Sequence, residues 1–295
     1  MDLYNKSFIY RQFVKAINSI IYVFTRRIMY VKAWVDIRFG KVIPNNWGDD
    51  INVYLIEMIS NRKVGVCNCS LIHKFFTPSH YICIGSILGW YEDEKSEIWG
   101  SGFISYNSKL DVVPLKIHSV RGKLTRKKLI EQGLECPESY GDPALLMSRY
   151  YKPIIQKKYK IGIVPHFVDF DNEVINDFIR RNPDTIKIQL KGYKKWTDVV
   201  DQICSCELIL SSSLHGLIIS DSYEIPNLWI SLSDGVYGEG FKFFDYFSSV
   251  DRDITSPYVI SNYADIDKIR SCANSIVYSA KINFDSIIDS CPFKK

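Results

Sequence analysis

No stretch of this chain supplies the ~18 consecutive uncharged apolar residues that a membrane-spanning helix needs. A secretory leader is missing as well, so the eight cysteines are expected to be reduced cytosolic thiols, mostly in the core. Their close pairs, Cys67/Cys69 and Cys204/Cys206, are CxC at strand-like spacing and not the CxxC of a zinc site. The histidines (His73, His80, His118, His166, His215) show neither HxH nor HxxxH spacing, and no metal site is expected. GxGxxG, GxxxxGK[ST] and GxSxG are absent, which removes the dinucleotide fingerprint, the P-loop and the nucleophile elbow. There is no internal repeat and no low-complexity tract. A net charge of +4 is too small to argue for nucleic acid as a partner.

What is present is an ordinary globular composition, 46% hydrophobic and 24% charged over 295 residues, enough for one large or two modest domains. The charge is unevenly placed. Residues 1–40 hold seven Lys/Arg against two Asp, a net of +5, leaving about −1 for the rest. Ser7 to Tyr30 has helical periodicity, with Ile9, Phe13, Ile17, Ile20, Ile21, Phe24 and Ile28 on one stripe and Arg11, Lys15 and Arg26 on the other side. Such a helix either lies in a membrane interface or packs its stripe on the domain.

Beyond it, a loop at Lys41 to Asp50 leads into a helix at Ile51 to Ile59. Short apolar runs follow at Val64–Cys67, Tyr81–Ile84, Glu97–Trp99 and Leu115–Val120, each ending in small or polar residues. A second series comprises Ile161–Val164, Thr185–Leu190, Glu207–Leu210 and Asn227–Ile230, with helices at Asp171–Arg181 and Thr197–Cys204. The polar, basic stretch Ser148–Lys160 between the two series is the linker candidate. The fold class is therefore α/β, with two Rossmann-like domains, 1–150 and 151–295, facing across a cleft; one continuous sheet is the alternative.

Functional residues should gather at the carboxyl edges of parallel strands, where helix N-termini offer free N–H groups to anions. Four places qualify. In Asn46-Trp47-Gly48-Asp49-Asp50, Asp49 is a candidate for orienting or deprotonating a hydroxyl, although a helix cap is the plainer role of either aspartate. Arg121, between a strand and a basic helix start, has the fork geometry for a carboxylate or phosphate. Gly141-Asp142-Pro143 is turn chemistry. The richest is Ser211-Ser212-Ser213-Leu214-His215, a strand end running into a helix, together with the glycine-rich loop Ser233 to Tyr246 that carries Lys242. From residue types alone these make an anion-binding cleft with one His, one Arg and one Lys, without naming a reaction.

Taken in order, NNWGDDIN, IWGSGF, SVRGKLTRKKL, ESYGDPALL, SSSLHGLIISDSYEIPNLW and GEGFKFFDYF resemble the polysaccharide pyruvyl transferase family over residues 44 to 247. The resemblance implies a fold similar to the GT-B glycosyltransferases, with 1–150 on the acceptor side and 151–295 on the donor side. It implies transfer of the pyruvyl group of phosphoenolpyruvate onto two hydroxyls of a sugar in a cell-surface glycan precursor, forming a cyclic ketal without metal or redox cofactor. Arg121, His215 and Lys242 would then be donor-site residues, aided by Ser212 and Ser213, with Arg121 on the carboxylate, Lys242 on the leaving phosphate and His215 as proton donor. Asp49 would act on the acceptor, with Asn46 and Asp50 beside it. Many members carry Arg directly before the Leu-His pair, where this chain has Ser213. An acceptor on a polyprenyl diphosphate would place the basic helix, residues 7–30, against the inner face of the cell membrane. The competing functions are a sugar-nucleotide glycosyltransferase, for which Glu224 or Glu239 would hold the ribose, and a non-catalytic glycan-assembly subunit.

Overall fold

The computed structural model describes residues 3–25, 27–72, 76, 78–233, 235–260, 268–273 and 282–293, with the backbone alone for 3–6. Among the described residues two separate parallel sheets of five strands carry the fold, and they do not join into one continuous sheet. The first contains β1 (Met29–Val31), β4 (Val64–Val66), β5 (His80–Ile82), β6 (Ser96–Trp99) and β7 (Lys116–Ser119), in the order β4-β1-β5-β6-β7. A small hairpin, β2 (Ile37–Arg38) with β3 (Lys41–Val42), stands apart from it. The second sheet contains β8 (Tyr159–Val164), β9 (Thr185–Lys187), β10 (Cys206–Ser211), β11 (Asn227–Ser231) and β12 (Tyr258–Val259), in the order β12-β11-β10-β8-β9. Both sheets thus wind the same way: the chain steps from the first strand to one edge, then returns to the other side of it. In each, the reversal leaves a crevice at the carboxyl ends of two neighbouring strands, β1/β5 in one and β8/β10 in the other, which is where such sheets take ligands.

The strand interiors are buried on both faces, as Leu208-Ile209-Leu210 in β10 shows, which is why they form near-continuous apolar runs. Helices α2 (Trp47–Ser60), α3 (Lys123–Glu131), α4 (Met147–Tyr150), α5 (Glu173–Arg181), α6 (Trp196–Cys204), α7 (Leu214–Ser222), α8 (Phe241–Ser249) and α9 (Phe284–Asp289) surround the sheets. The N-cap of α2 is Asn46, so Asp49 and Asp50 occupy its first turn, where carboxylates oppose the positive helix end. Asp142 does cap locally, accepting from Ala144 N at 2.9 Å. The apolar core has three parts. Two are each confined to one sheet and its neighbours, and the largest is shared, containing Ile51 and Leu55 of α2 as well as Leu217 and Ile218 of α7. The chain also crosses back late: Trp99 Nε1 donates to Ile287 O at 3.1 Å, and Phe293 packs edge-on against Tyr81 and Trp99.

Several boundaries differ from expectation. The first helix, α1 (Leu3–Phe24), stops before the chain turns into β1, so Tyr30 is a strand residue. Its apolar stripe packs on the domain only in part, with Ile17 and Ile21 half-buried. Val14, Asn18 and Tyr22 face inward instead, while Ile9, Phe13, Ile20 and Phe24 are exposed. The reason is a polar lock. Asn18 Nδ2 donates to Ile37 O and Cys69 O, Asn18 Oδ1 accepts from Gly40 N, and Tyr22 OH accepts from Val66 N. Among the described residues no helix is long and apolar enough to cross a membrane. The CxC pairs are not strand segments either: Cys67 to Cys69 is a 3-10 turn, and Cys204 to Cys206 joins the end of α6 to β10. Cys67, Cys69, Cys83, Cys136, Cys204 and Cys206 are free thiols. Lys242 belongs to the first turn of α8 and not to a loop, because Gly240, at φ 78°, ends the loop as a left-handed helix cap.

Candidate active site

The two crevices open into one cavity of about 420 Å³. From the first sheet come Trp34 after β1, Ser86 and Ile87 after β5, and the start of α2 with Asn46 and Asp49. From the second come His166 after β8, Lys191 after β9, Ser213 and His215 after β10, and Lys242 of α8. Asp49, His215, Lys242, Ser213 and Asn46 are therefore brought together as the sequence led one to expect.

His215 is the second residue of α7, and its ring lies close against Gly48 of α2. A β-carbon on Gly48 would stand 2.1 Å from His215 Nδ1, so only glycine admits the imidazole. The WGDD and LHG motifs are thus two halves of one contact. His215 Nε2 is shut off from solvent and has no hydrogen-bond partner. Burial, then the charges of Arg121 and Lys242, push the imidazole down to about 3, which favours its neutral form. His166 is held down to about 4 by burial and Lys242.

Asp49 accepts from Asn46 Nδ2 at 2.5 Å. Its pKa is raised to about 7, mainly by burial and further by Asp50, against the opposing Asn46 hydrogen bond and Lys242. Lys242 is lowered to about 8 by burial and Arg121, with Asp49 pulling the other way. Its Nζ lies 5.4 Å from the centroid of the Phe243 ring. Ser213 is the N-cap position of α7, and its side chain leaves the helix end uncapped. The first N–H groups of α7 therefore have no intrahelical partners, and Ser213, Leu214 and His215 line the cavity. Asp49 is the only acidic side chain lining this cavity among the described residues.

Three expected site residues stand elsewhere. Arg121 is fully buried beneath the cavity with its guanidinium already engaged. Nε and Nη2 both reach Asp245 Oδ2 at 2.9 Å, Nη1 donates to Ser86 Oγ, and Nη2 also donates to Phe103 O. Asp245 further accepts from Thr125 N and Oγ1, each at 2.7 Å. A β-carbon on Gly122 would lie 1.8 Å from Asp245 O, so the glycine after Arg121 lets α8 approach. The expected direct grip of Arg121 on a donor carboxylate is not the arrangement found; its charge is felt in the cavity through Ser86 and through the depressed His215 and Lys242. Asp50 is also buried, accepting from Asn45 N at 2.8 Å and Tyr193 OH at 3.1 Å, which ties α2 in place instead of facing an acceptor. Ser212 Oγ accepts from His166 N and donates to Asp169, and the residue borders a neighbouring cavity of about 560 Å³.

Sequence reasoning missed His166, Lys191 and the half-exposed Trp34 and Trp90. The signal for His166 was available: it follows the end of β8 as His215 follows β10. Glu224 lies outside the cavity, and Glu239 borders the neighbouring one. Among the described residues no three His, Cys, Asp or Glu side chains gather as a metal-binding set.

The model of one family, described as polysaccharide pyruvyl transferase, matches residues 11–234. Two curated proteins are similar over most of the chain. Succinoglycan biosynthesis protein ExoV of Rhizobium meliloti (strain 1021) is 28% identical over 217 residues, 68% of this chain and 60% of that protein. Uncharacterized protein L143 of Acanthamoeba polyphaga mimivirus is 28% identical over 235 residues, 72% of this chain and 74% of its own length.

Proposed function

The chain belongs to the polysaccharide pyruvyl transferase family, and we propose that it moves the pyruvyl group of phosphoenolpyruvate onto two hydroxyls of one sugar in a surface-polysaccharide precursor, closing a cyclic ketal. One observation carries this reading: a cavity with Lys242, Lys191, two imidazoles and an open helix N-terminus, balanced by a single carboxylate. A small donor bearing both phosphate and carboxylate matches that excess of donors and positive charge. Lys242 and the N–H groups of α7 take the phosphate, and Ser213 and His166 supply hydrogen bonds. Arg121 acts from beneath as a fixed positive charge.

His215 is the proton carrier. Held neutral by burial and the neighbouring cations, it gains a proton when the anionic donor lies beside it, because a nearby negative charge raises an imidazole pKa. It then delivers that proton to the donor's methylene carbon. The first sugar hydroxyl attacks the resulting cationic centre, giving its proton to Asp49. Phosphate departs with the electrons of its bond to carbon, and the second hydroxyl closes the ring. One proton is added at carbon and two leave the hydroxyls, so one leaves with the phosphate. Phosphoenolpyruvate is a substrate here, and the scheme calls for no further cofactor. On this reading the halves are arranged as in GT-B enzymes, 1–150 serving the acceptor and 151–295 the donor.

Incubating the chain with phosphoenolpyruvate and a lipid-linked glycan pool is expected to release phosphate in step with a pyruvyl mass gain on the glycan. Gain only with nucleotide sugars would replace this reading by glycosyl transfer. The free-enzyme profile of kcat/KM is expected to be a narrow bell. Activity rises as Asp49 loses its proton near about 7 and falls as Lys242 loses its own near about 8. Asp49→Asn should remove the acidic limb, and Lys242→Arg should move the alkaline limb upward. A profile flat between about pH 6 and about pH 9 would remove both groups from the scheme.

Helix α1 supplies a membrane contact for a polyprenyl-linked acceptor at the cytoplasmic surface. Its outward face exposes Ile9, Phe13, Ile20 and Phe24, and Phe39 stands exposed on the adjoining hairpin tip. No acidic residue occurs from Leu3 to Val35, and Arg11 and Arg27 are exposed. That unbalanced positive charge suits an anionic lipid surface, about 1 kcal/mol per basic residue, and disfavours a second copy of the same helix. The chain is expected to sediment with phosphatidylglycerol-containing vesicles at low salt and not with pure phosphatidylcholine. Phe13→Glu with Phe24→Glu should abolish this. Equal sedimentation with both vesicles would refute the contact.

A further inference from the structure

Tryptophan is the side chain least expected to stand in water, because its large apolar surface is worth burying. The chain has six, and Trp47, Trp99 and Trp229 are buried in the usual way. Trp34 and Trp90 are the exceptions, at 56% and 55% exposed, and both line the same cavity. They arrive on the segments after β1 and β5, the two strands that bound the crevice of the first sheet. Trp34 is not a loose side chain: its ring meets Tyr91 edge-on at 5.9 Å and 76°. The lining therefore differs in chemistry by origin. The second sheet contributes Lys191, His166, His215 and an open helix end, whereas the first contributes indoles, the amides of Asn45 and Asn46, and Asp49.

We propose that Trp34 and Trp90 form the acceptor subsite, seating a neutral pyranose ring whose apolar face lies on indole and whose edge presents two hydroxyls to Asp49 and His215. A pyranose fits this wall chemically. Its C–H face is apolar and stacks on an electron-rich ring, while its rim carries only hydroxyls, for which Asn45 and Asn46 provide both donors and acceptors. Trp34 and Trp90 themselves offer an anion no positive charge. Two exposed indoles at the mouth of a polar cleft also mark a recognition surface in general terms. The choice of a saccharide as occupant rests on the pyruvyl-transfer reading; the existence of the aromatic wall does not.

The test uses the full chain and its Trp34→Ala, Trp90→Ala and doubly substituted forms, with Trp→Phe at each position as the conservative control. Ligand-observed NMR would give the affinity of p-nitrophenyl gluco-, galacto- and mannopyranosides, and calorimetry that of phosphoenolpyruvate. At least one pyranoside is expected to bind the wild type, about tenfold or more weaker to either alanine variant, and intermediately to the phenylalanine forms. Affinity for phosphoenolpyruvate should stay within about twofold, since neither indole carries a charge for its phosphate or carboxylate. The exposed positions keep the unfolding midpoint near that of the wild type, so loss of fold does not confuse the result. Pyranosides that bind the double variant as tightly as the wild type, or that bind neither, overturn the subsite. Pyranoside binding lost on substitution, in a wild type that ignores phosphoenolpyruvate, leaves the saccharide seat standing and removes the pyruvyl donor.

Discussion

His215→Ala is expected to lower pyruvyl transfer by about 10²- to 10⁴-fold while the protein stays folded. The expectation follows from an imbalance at this residue. Its Nε2 is enclosed without a partner, and both cations that shift it, Arg121 and Lys242, oppose its protonation. An unsatisfied buried polar atom costs about 1–3 kcal/mol, so removing this one relieves a penalty and offsets the packing lost with the ring. A group kept at a cost to stability, at the meeting point of both sheets, is best explained by chemistry. Steady-state turnover beside thermal unfolding decides the matter. A variant that turns over within about threefold of the wild type would exclude the imidazole as proton carrier, because a positioned acid contributes far more than that. Binding of phosphoenolpyruvate should fall much less than turnover, because Lys242 and the end of α7 remain.

Asp245→Ala is expected to cost about 3–5 kcal/mol of stability although Asp245 does not line the cavity. It and Arg121 are both fully buried, and the pair joins the segment after β7 to α8 across 124 positions of sequence. Taking away the carboxylate strands a guanidinium in the interior with only Ser86 and Phe103 O for company, and leaves Thr125 N without its acceptor. Arg121→Ala should cost a similar amount from the other side. The double variant should lose less than the sum, since neither charge is then left alone. Urea unfolding of the three variants measures this directly. Should Asp245→Ala unfold at the wild-type midpoint, the pair would not be the strut described here. Lys242→Ala makes the contrast, with donor affinity lost and fold retained.

Much of this was legible in the chain because parallel strands announce themselves as short apolar runs that stop at small or polar residues. Each run from Val64 to Asn227 became a strand, and the motifs at their ends did converge. What was hidden depended on partners distant in sequence or on polar burial. Projection of α1 finds an apolar stripe, but Asn18, a polar residue, chose the packed face by satisfying three backbone groups of the hairpin and the Cys69 turn. Strand β1 is three residues long and lies in what looks like the tail of that helix. Arg121 has the outward marks of an anion ligand, and only the return of α8 with Asp245 shows that its hydrogen bonds are already spent. His166 lacked the serine or glycine neighbours that drew attention to His215.

The shared apolar cluster between α2 and α7 bears on how the enzyme must work. Two lobes joined only by a tether could swing apart to admit a large glycan. Here one apolar cluster runs through both, and swinging them open would wet Ile51, Leu55, Leu217 and Ile218 together. Opening of that kind is therefore costly, and adjustment to a substrate falls more cheaply to the surface loops at the rim.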